Sequence, residues 1–138
     1  MNAITHELVL ITNDTYINAE SVCELLRKIA FMNIGLPITL VLDNARYQKC
    51  KIVAALASQL GIELLFLPAY SPNLNLIERL WKFVKKEVLY SKYYSDFGSF
   101  RHAISDCLNQ TSTTYKTQLD SLLTLKFQVF SKCDFVPI

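Results

Sequence analysis

The segment from Ile38 to Leu67 leaves this chain the least freedom of any part of the sequence. It opens with a continuous apolar run, Ile38 to Leu42, closed by Asp43-Asn44, and a second apolar run spans Ile62 to Leu67. Between them Ile52, Leu56 and Leu60 recur at helical spacing, and Gly61 stands where a left-handed cap would end that helix. Short runs with little polar alternation are the pattern of strands buried on both faces. Strand, helix and strand in this order make a parallel pair with a right-handed crossover. The fold class expected is therefore α/β.

The flanks add elements to that unit. Glu7 to Thr12 is short and rich in aliphatic residues, and Asn13-Asp14-Thr15 behind it offers turn and N-cap residues, which predicts another strand. Val22, Leu25, Leu26, Ile29 and Ala30 predict an amphipathic helix ending near Asn33, with Gly35 and Pro37 as stop signals. After the turn residues Pro68 to Asn73, the spacing predicts a helix over Leu74 to Leu89 with Ile77, Leu80, Trp81, Val84 and Val88 on one face. A further helix is predicted from Phe97 to Asn109, a Ser/Thr-rich loop over Thr111 to Gln118, and a last packing element, helix or strand, over Leu119 to Phe130. No internal repeat is visible.

Composition removes several function classes. A chain of 138 residues that is 51% hydrophobic, with four Pro and three Gly, can bury a core and is neither disordered nor collagenous. Its longest apolar stretches are broken by Pro37, Glu63 and Pro68, short of the roughly 18 residues a membrane span needs, so no membrane partner is expected. Residues 1–12 lack a basic n-region, and the core Leu8 to Ile11 is too short for a signal peptide, so a cytoplasmic location is expected. Cys23, Cys50, Cys107 and Cys133 form no CxxC pair, and with only His6 and His102 beside them they read as buried thiols rather than zinc ligands. The net charge of +2 is unevenly spread: Arg79, Lys82, Lys85, Lys86, Lys92 and Arg101 fall in one stretch with few acids. Those cations could face phosphates or simply form the solvated side of a helix.

Two carboxylates stand where chemistry gathers. Asp43 directly follows a strand, and the carboxyl ends of parallel strands are where ligands bind in open sheets; the plainer reading is a cap for the helix that follows. Glu78 lies near the start of its helix, where the plainer reading is an i+4 pair with Lys82. Because Glu78 follows the loop leaving the neighbouring parallel strand, both carboxylates can converge at one sheet edge. Such a pair suits Mg²⁺, which takes one or two carboxylates together with waters and substrate phosphates, and a phosphodiester substrate follows. Lys82 and Lys85, at i+4 and i+7 from Glu78, could meet a nucleic-acid backbone.

The segments L-V-L-D-N-A-R-Y-Q at 40–48 and L-P-A-Y-S-P-N-L-N-L-I-E-R-L-W-K at 67–82, with 34 residues between Asp43 and Glu78, closely resemble the catalytic core of insertion-sequence transposases of the Tc/mariner superfamily, a group of DDE endonucleases. The resemblance runs from about residue 2 to residue 131. It implies an RNase H-like fold, a mixed sheet flanked by helices, over a partial catalytic domain at 1–131, with a tail at 132–138. It also implies that Asp43 and Glu78 are the second and third carboxylates of an Asp-Asp-Glu triad. These would bind Mg²⁺, or Mn²⁺ in its place, for DNA strand cleavage and transfer. Asn44, Tyr70, Ser71, Pro72, Asn73 and Asn75 match the other motif letters and would shape the loops holding the carboxylates; turn chemistry alone is the plainer reading. Arg79, Lys82, Lys85 and Lys86 are the candidate nucleic-acid contacts.

The first Asp of the family sits on a strand that nothing in this chain matches, and the helix-turn-helix region is absent as well. Residues 2–12 resemble the end of the family's second strand and its third, while Asp14, in an Asn-Asp-Thr turn, reads as a turn or cap residue. A sheet without its first strand and most of its second leaves unpaired edges that invite a partner. The chain is thus expected to be one piece of a transposase, acting on transposon ends and target DNA with an upstream fragment or a full-length transposase. It would be a homo-oligomer once complete. With two of three carboxylates, its own cleavage activity is expected to be weak or absent. The alternative is a catalytically inactive fragment that only binds DNA or full-length transposase through the Arg79 to Lys92 face. A flavodoxin-like phosphoacceptor domain built on Asp43 would leave the Tyr70 to Glu78 motif unexplained. Tyr90, Tyr93 and Tyr94 read as cover for the core rather than as base-stacking groups.

Overall fold

The structure, a computed structural model, describes residues 1–32, 35–69, 71 and 74–127. Those residues form a mixed α/β arrangement of five α-helices and two strands, divided into two compact units. One unit is Glu7–Asn75 with Met1; the other is Asn2–His6 together with the chain from Leu76 onward.

The first unit is built on the expected strand–helix–strand. Strand β1 (Ile38–Leu42) pairs in parallel with β2 (Ile62–Phe66), in register from Ile38 opposite Ile62 to Leu42 opposite Phe66. Helix α2 (Lys51–Leu60) joins them and ends on Gly61, whose φ of 70° and ψ of 27° provide the left-handed cap that a residue with a side chain adopts only under strain. Helix α1 (Ala19–Phe31) precedes β1 and starts later than the Asn13-Asp14-Thr15 turn suggested. Its cap is Asn18, whose side chain accepts from the Ser21 amide at 3.1 Å while the Ser21 hydroxyl accepts from the Asn18 amide at 3.3 Å. Of Asn13, Asp14, Thr15 and Asn18, only Asn18 is followed three residues on by a serine, whose short hydroxyl completes that reciprocal box.

Val22, Cys23 and Leu26 of α1, Val53 and Ala57 of α2 and Ile62 of β2 form the buried core, with Ile38, Leu40 and Leu64 packed against it. Both helices thus cover one face of the strand pair, and the expectation of strands buried on both faces is corrected. Burial alternates along each strand, and Val41 and Leu65, opposite each other in the register, are 50% and 51% exposed. On that bare face the Thr39 hydroxyl donates to the Glu63 carboxylate at 3.0 Å. The strand expected over Glu7 to Thr12 does not form either. A strand exists through the ladder a neighbour offers, and the described residues pair only β1 with β2. The segment is tied instead to α1, where the Lys28 ammonium donates to the Leu10 carbonyl.

In the second unit, α3 (Leu76–Val84) continues as a π-helical turn over Lys85–Leu89, closed by the Tyr90 amide donating to the Lys85 carbonyl at 3.0 Å. Helix α4 (Phe97–Asn109) follows, as predicted, and α5 (Lys116–Leu122) begins inside the stretch read as a loop. The buried residues of α3 and its extension are Leu80, Phe83, Val84 and Val88, whereas Ile77 and Trp81 are exposed, which corrects the predicted apolar face. The buried stripe keeps Leu80, Val84 and Val88 of the predicted face and turns from Ile77 and Trp81 toward Phe83, which packs edge-on against Tyr115 with ring centroids 5.1 Å apart.

Residues 2–6 belong to this unit. The His6 side chain is buried, with φ at 62°, and its Nδ1 lies 3.0 Å from Asp120 Oδ1, close enough for an ion pair though outside hydrogen-bond geometry. Cys23 and Cys107 are buried free thiols pushed up in pKa by desolvation; Cys50 is half-buried, and Cys133 lies outside the described residues. Among the described residues no helix is long and apolar enough to cross a membrane.

Candidate functional site

Asp43 is the first residue past β1 and is exposed. Its Oδ1 accepts the Ala45 amide at 3.0 Å, closing a small side-chain turn that reverses the chain at the strand end. The capping role open to Asp43 or Asn44 is not taken by either, because α2 starts only at Lys51 and its cap position is Cys50, without a side-chain cap bond. The other oxygen of Asp43 has no hydrogen-bond partner among the described residues.

Asn44 does a different job. Its Nδ2 donates to the Leu67 carbonyl at 2.6 Å, one step past the Leu67 amide that donates to the Leu42 carbonyl at 2.8 Å. The side chain thereby extends the parallel ladder beyond the last backbone pair and holds the two strand ends together. Sequence reasoning passed over Lys49, which completes this group: its ammonium donates to Asn44 Oδ1 at 3.3 Å and lies 5.5 Å from the centre of the Phe66 ring. A cation one short turn after an Asp-Asn-Ala motif is the signal that could have pointed to it.

Of the loop motif after β2, Tyr70, Pro72 and Asn73 lie outside the described residues. Ser71 Oγ donates to the Ala69 carbonyl at 3.4 Å, and its own carbonyl accepts the Leu74 amide at 3.1 Å, so Ser71 shapes a turn. Asn75 is the last residue of the first unit.

Glu78 opens the second unit's chemistry. It sits in the first turn of α3, where unsatisfied amides favour a negative charge, and it is exposed. The pair with Lys82 is not made: neither side chain has a hydrogen bond or ion pair within the described residues. Lys82 and Lys86 are exposed, and Lys85 rests 5.7 Å from the centre of the Trp81 ring. Arg79 turns the other way. Its guanidinium donates to the Thr124 carbonyl at 3.0 Å and covers the Phe127 ring at 5.2 Å, anchoring the segment after α5.

The arrangement therefore offers hard oxygen donors in two places, Asp43 and Asn44 at a sheet end and Glu78 in the first turn of a helix that also carries Lys82. Carboxylate oxygens with no protein partner are the donor chemistry of Mg²⁺ or Mn²⁺. No group of three or more His, Cys, Asp or Glu side chains that could hold a metal occurs among the described residues. Residues 1–101 match the family described as DDE superfamily endonuclease, a span that takes in both Asp43 and Glu78 and ends inside α4. No curated protein matches the chain.

Proposed function

This chain belongs to the DDE superfamily endonuclease family, and on that premise we propose that it is the part of a Tc/mariner-like transposase carrying the second and third carboxylates, Asp43 and Glu78. The family implies DNA as substrate; cutting and joining at transposon ends is the proposed reaction. The observation that carries the reading is Asp43: an exposed carboxylate just past a parallel strand, one oxygen spent on its own turn and the other free, braced by Asn44 against the neighbouring strand.

Asp43 and Glu78 would hold the metal, which when bound supplies activation of a water or hydroxyl and stabilisation of the oxygen leaving phosphorus. The protein's own contribution is positional. Asn44 fixes the turn that presents Asp43, Lys82, Lys85 and Lys86 supply charge for the phosphate backbone, and the first turn of α3 presents Glu78 at the surface. The partner proposed for the RNase H-like site is an upstream transposase fragment or a full-length transposase, with residues 1–131 as the catalytic-domain part, 132–138 as a tail, and oligomerisation of the completed enzyme.

The test is paramagnetic broadening by Mn²⁺ in NMR spectra of the chain. Broadening that begins at Asp43 and Glu78 together, and disappears in either Asp43→Asn or Glu78→Gln, supports a shared metal. Broadening at neither carboxylate overturns the reading and leaves a DNA- or transposase-binding fragment without chemistry.

A further inference from the structure

Of the three tyrosines after the π turn, Tyr94 is half-buried, but Tyr90 and Tyr93 do not cover the core. Tyr90 is 63% exposed and Tyr93 90%, and Phe97 at the start of α4 is 69% exposed. Three large aromatic side chains in solvent within eight residues are a surface feature that calls for a ligand. Tyr93 and Phe97, with Leu89, Lys92, Tyr94 and Phe100, line an open cavity of about 450 Å³.

Its floor is held by packing and a hydrogen bond, and its wall stands in solvent. Tyr94 stands edge-on to Phe100 with ring centroids 5.8 Å apart, and its hydroxyl donates to the Val88 carbonyl at 2.6 Å. Phe97 leans on the same Phe100 ring at 6.2 Å and 43°. Tyr93 has no ring partner among the described residues, so its π face is open to a flat ligand. Lys92 sets an exposed cation on the rim. The one acid there, Asp96, is occupied with capping α4: it accepts the Ser99 amide at 2.8 Å and the Ser99 and Ser95 hydroxyls at 2.9 and 3.2 Å.

We propose that this groove binds single-stranded DNA, with an unpaired base stacked between Tyr93 and Phe97 and the adjoining phosphate on Lys92. Aromatic faces beside a cation are what unpaired strands use; bases inside a duplex are already stacked and reach a protein mainly through phosphates and groove edges. The surrounding stretch is basic, with Arg79, Lys82, Lys85, Lys86, Lys92 and Arg101 against Glu78, Glu87 and Asp96, which suits a polyanion rather than an apolar helix. The inference rests on the reading of this chain as DNA-acting, and names the strand form that reaches this face.

The experiment uses the whole chain with a 2-aminopurine-labelled single strand and a duplex of the same sequence, read by fluorescence and anisotropy. The expected result is quenching of the probe in the single strand. Binding of that strand should weaken about tenfold in Tyr93→Ala and in Phe97→Ala, with Tyr93→Phe close to wild type and duplex binding unchanged. In Lys92→Gln the salt slope for the single strand should fall by roughly 0.7. Single-strand binding without quenching, or with wild-type affinity in both alanine variants, overturns the groove while leaving the DNA reading intact. Failure to bind either form overturns both. All the substituted side chains are exposed, so the variants should retain the fold.

Discussion

The side-chain amide of Asn44 donates to the carbonyl of Leu67 at 2.6 Å, joining the carboxyl ends of β1 and β2 directly beside Asp43. The bond substitutes for a ladder rung that the backbone no longer makes, and it lets an exposed carboxylate stand on a braced turn rather than a loose one. Lys49, donating to the same Asn44 side chain, adds a second brace.

Asn44→Ala should therefore lower the stability of the first unit by about 1 kcal/mol, the usual net worth of one hydrogen bond. Thermal melting followed by circular dichroism would show it as a loss of several degrees. Mn²⁺ broadening at Asp43 should weaken in the same variant, since the turn that presents it is no longer tied to Leu67.

Asp43→Asn should be nearly silent in stability, within about 0.5 kcal/mol, because asparagine can accept the same Ala45 amide and the site is exposed. Divalent metal binding should be lost. A melting curve that drops by much more than this would assign Asp43 a structural rather than a metal-binding role.

Leu26 is fully buried between the helices and strands of the first unit. Leu26→Ala should cost about 2–5 kcal/mol through lost burial and the cavity left behind, a large share of the stability of so small a core. Urea titration followed by circular dichroism measures it.

Acid should loosen the second unit through two aspartates. Hydrogen bonds from the Ser99 amide and hydroxyl hold Asp96 below the usual carboxylate range, and Lys116, then His6, do the same for Asp120. A carboxylate with a lowered folded pKa contributes stability above its unfolded pKa, and that contribution is lost as pH falls through the folded value. Helicity should thus be retained at neutral pH and fall at pH below the ordinary aspartate value of about 4. Asp96→Asn, which can still cap α4, should show less of this acid dependence.

Replacing Lys82, Lys85 and Lys86 with glutamine should weaken duplex DNA binding and lower its salt slope by roughly 0.9 for each phosphate that is no longer neutralised. Anisotropy titrations at several salt concentrations read this directly. Arg79 is the informative contrast. Its side chain is committed to Thr124 and Phe127, so Arg79→Ala should register as lost stability in a melt before it registers in DNA affinity.

The central strand–helix–strand was legible because local rules agree there. The apolar runs at Ile38–Leu42 and Ile62–Phe66, the helical spacing between them and the cap at Gly61 all require one arrangement, and α4 over Phe97–Asn109 was equally plain. The motifs around Asp43 and Glu78 were legible for the same reason, since their letters and spacing are local. What stayed hidden depends on partners far away in sequence. The run Glu7 to Thr12 has strand residues but no strand beside it, and nothing local states whether a neighbour exists. Spacing placed Ile77 and Trp81 inward with Leu80, Val84 and Val88, but Phe83 took their place because Tyr115, distant in sequence, packs against it. Periodicity set the elements of this chain, because backbone geometry acts over a few residues. Only the tertiary structure decided which faces they cover, leaving Val41 and Leu65 bare, Tyr93 and Phe97 in solvent and Asn44 bridging two strand ends, because burial and pairing are settled by whatever the rest of the fold brings near.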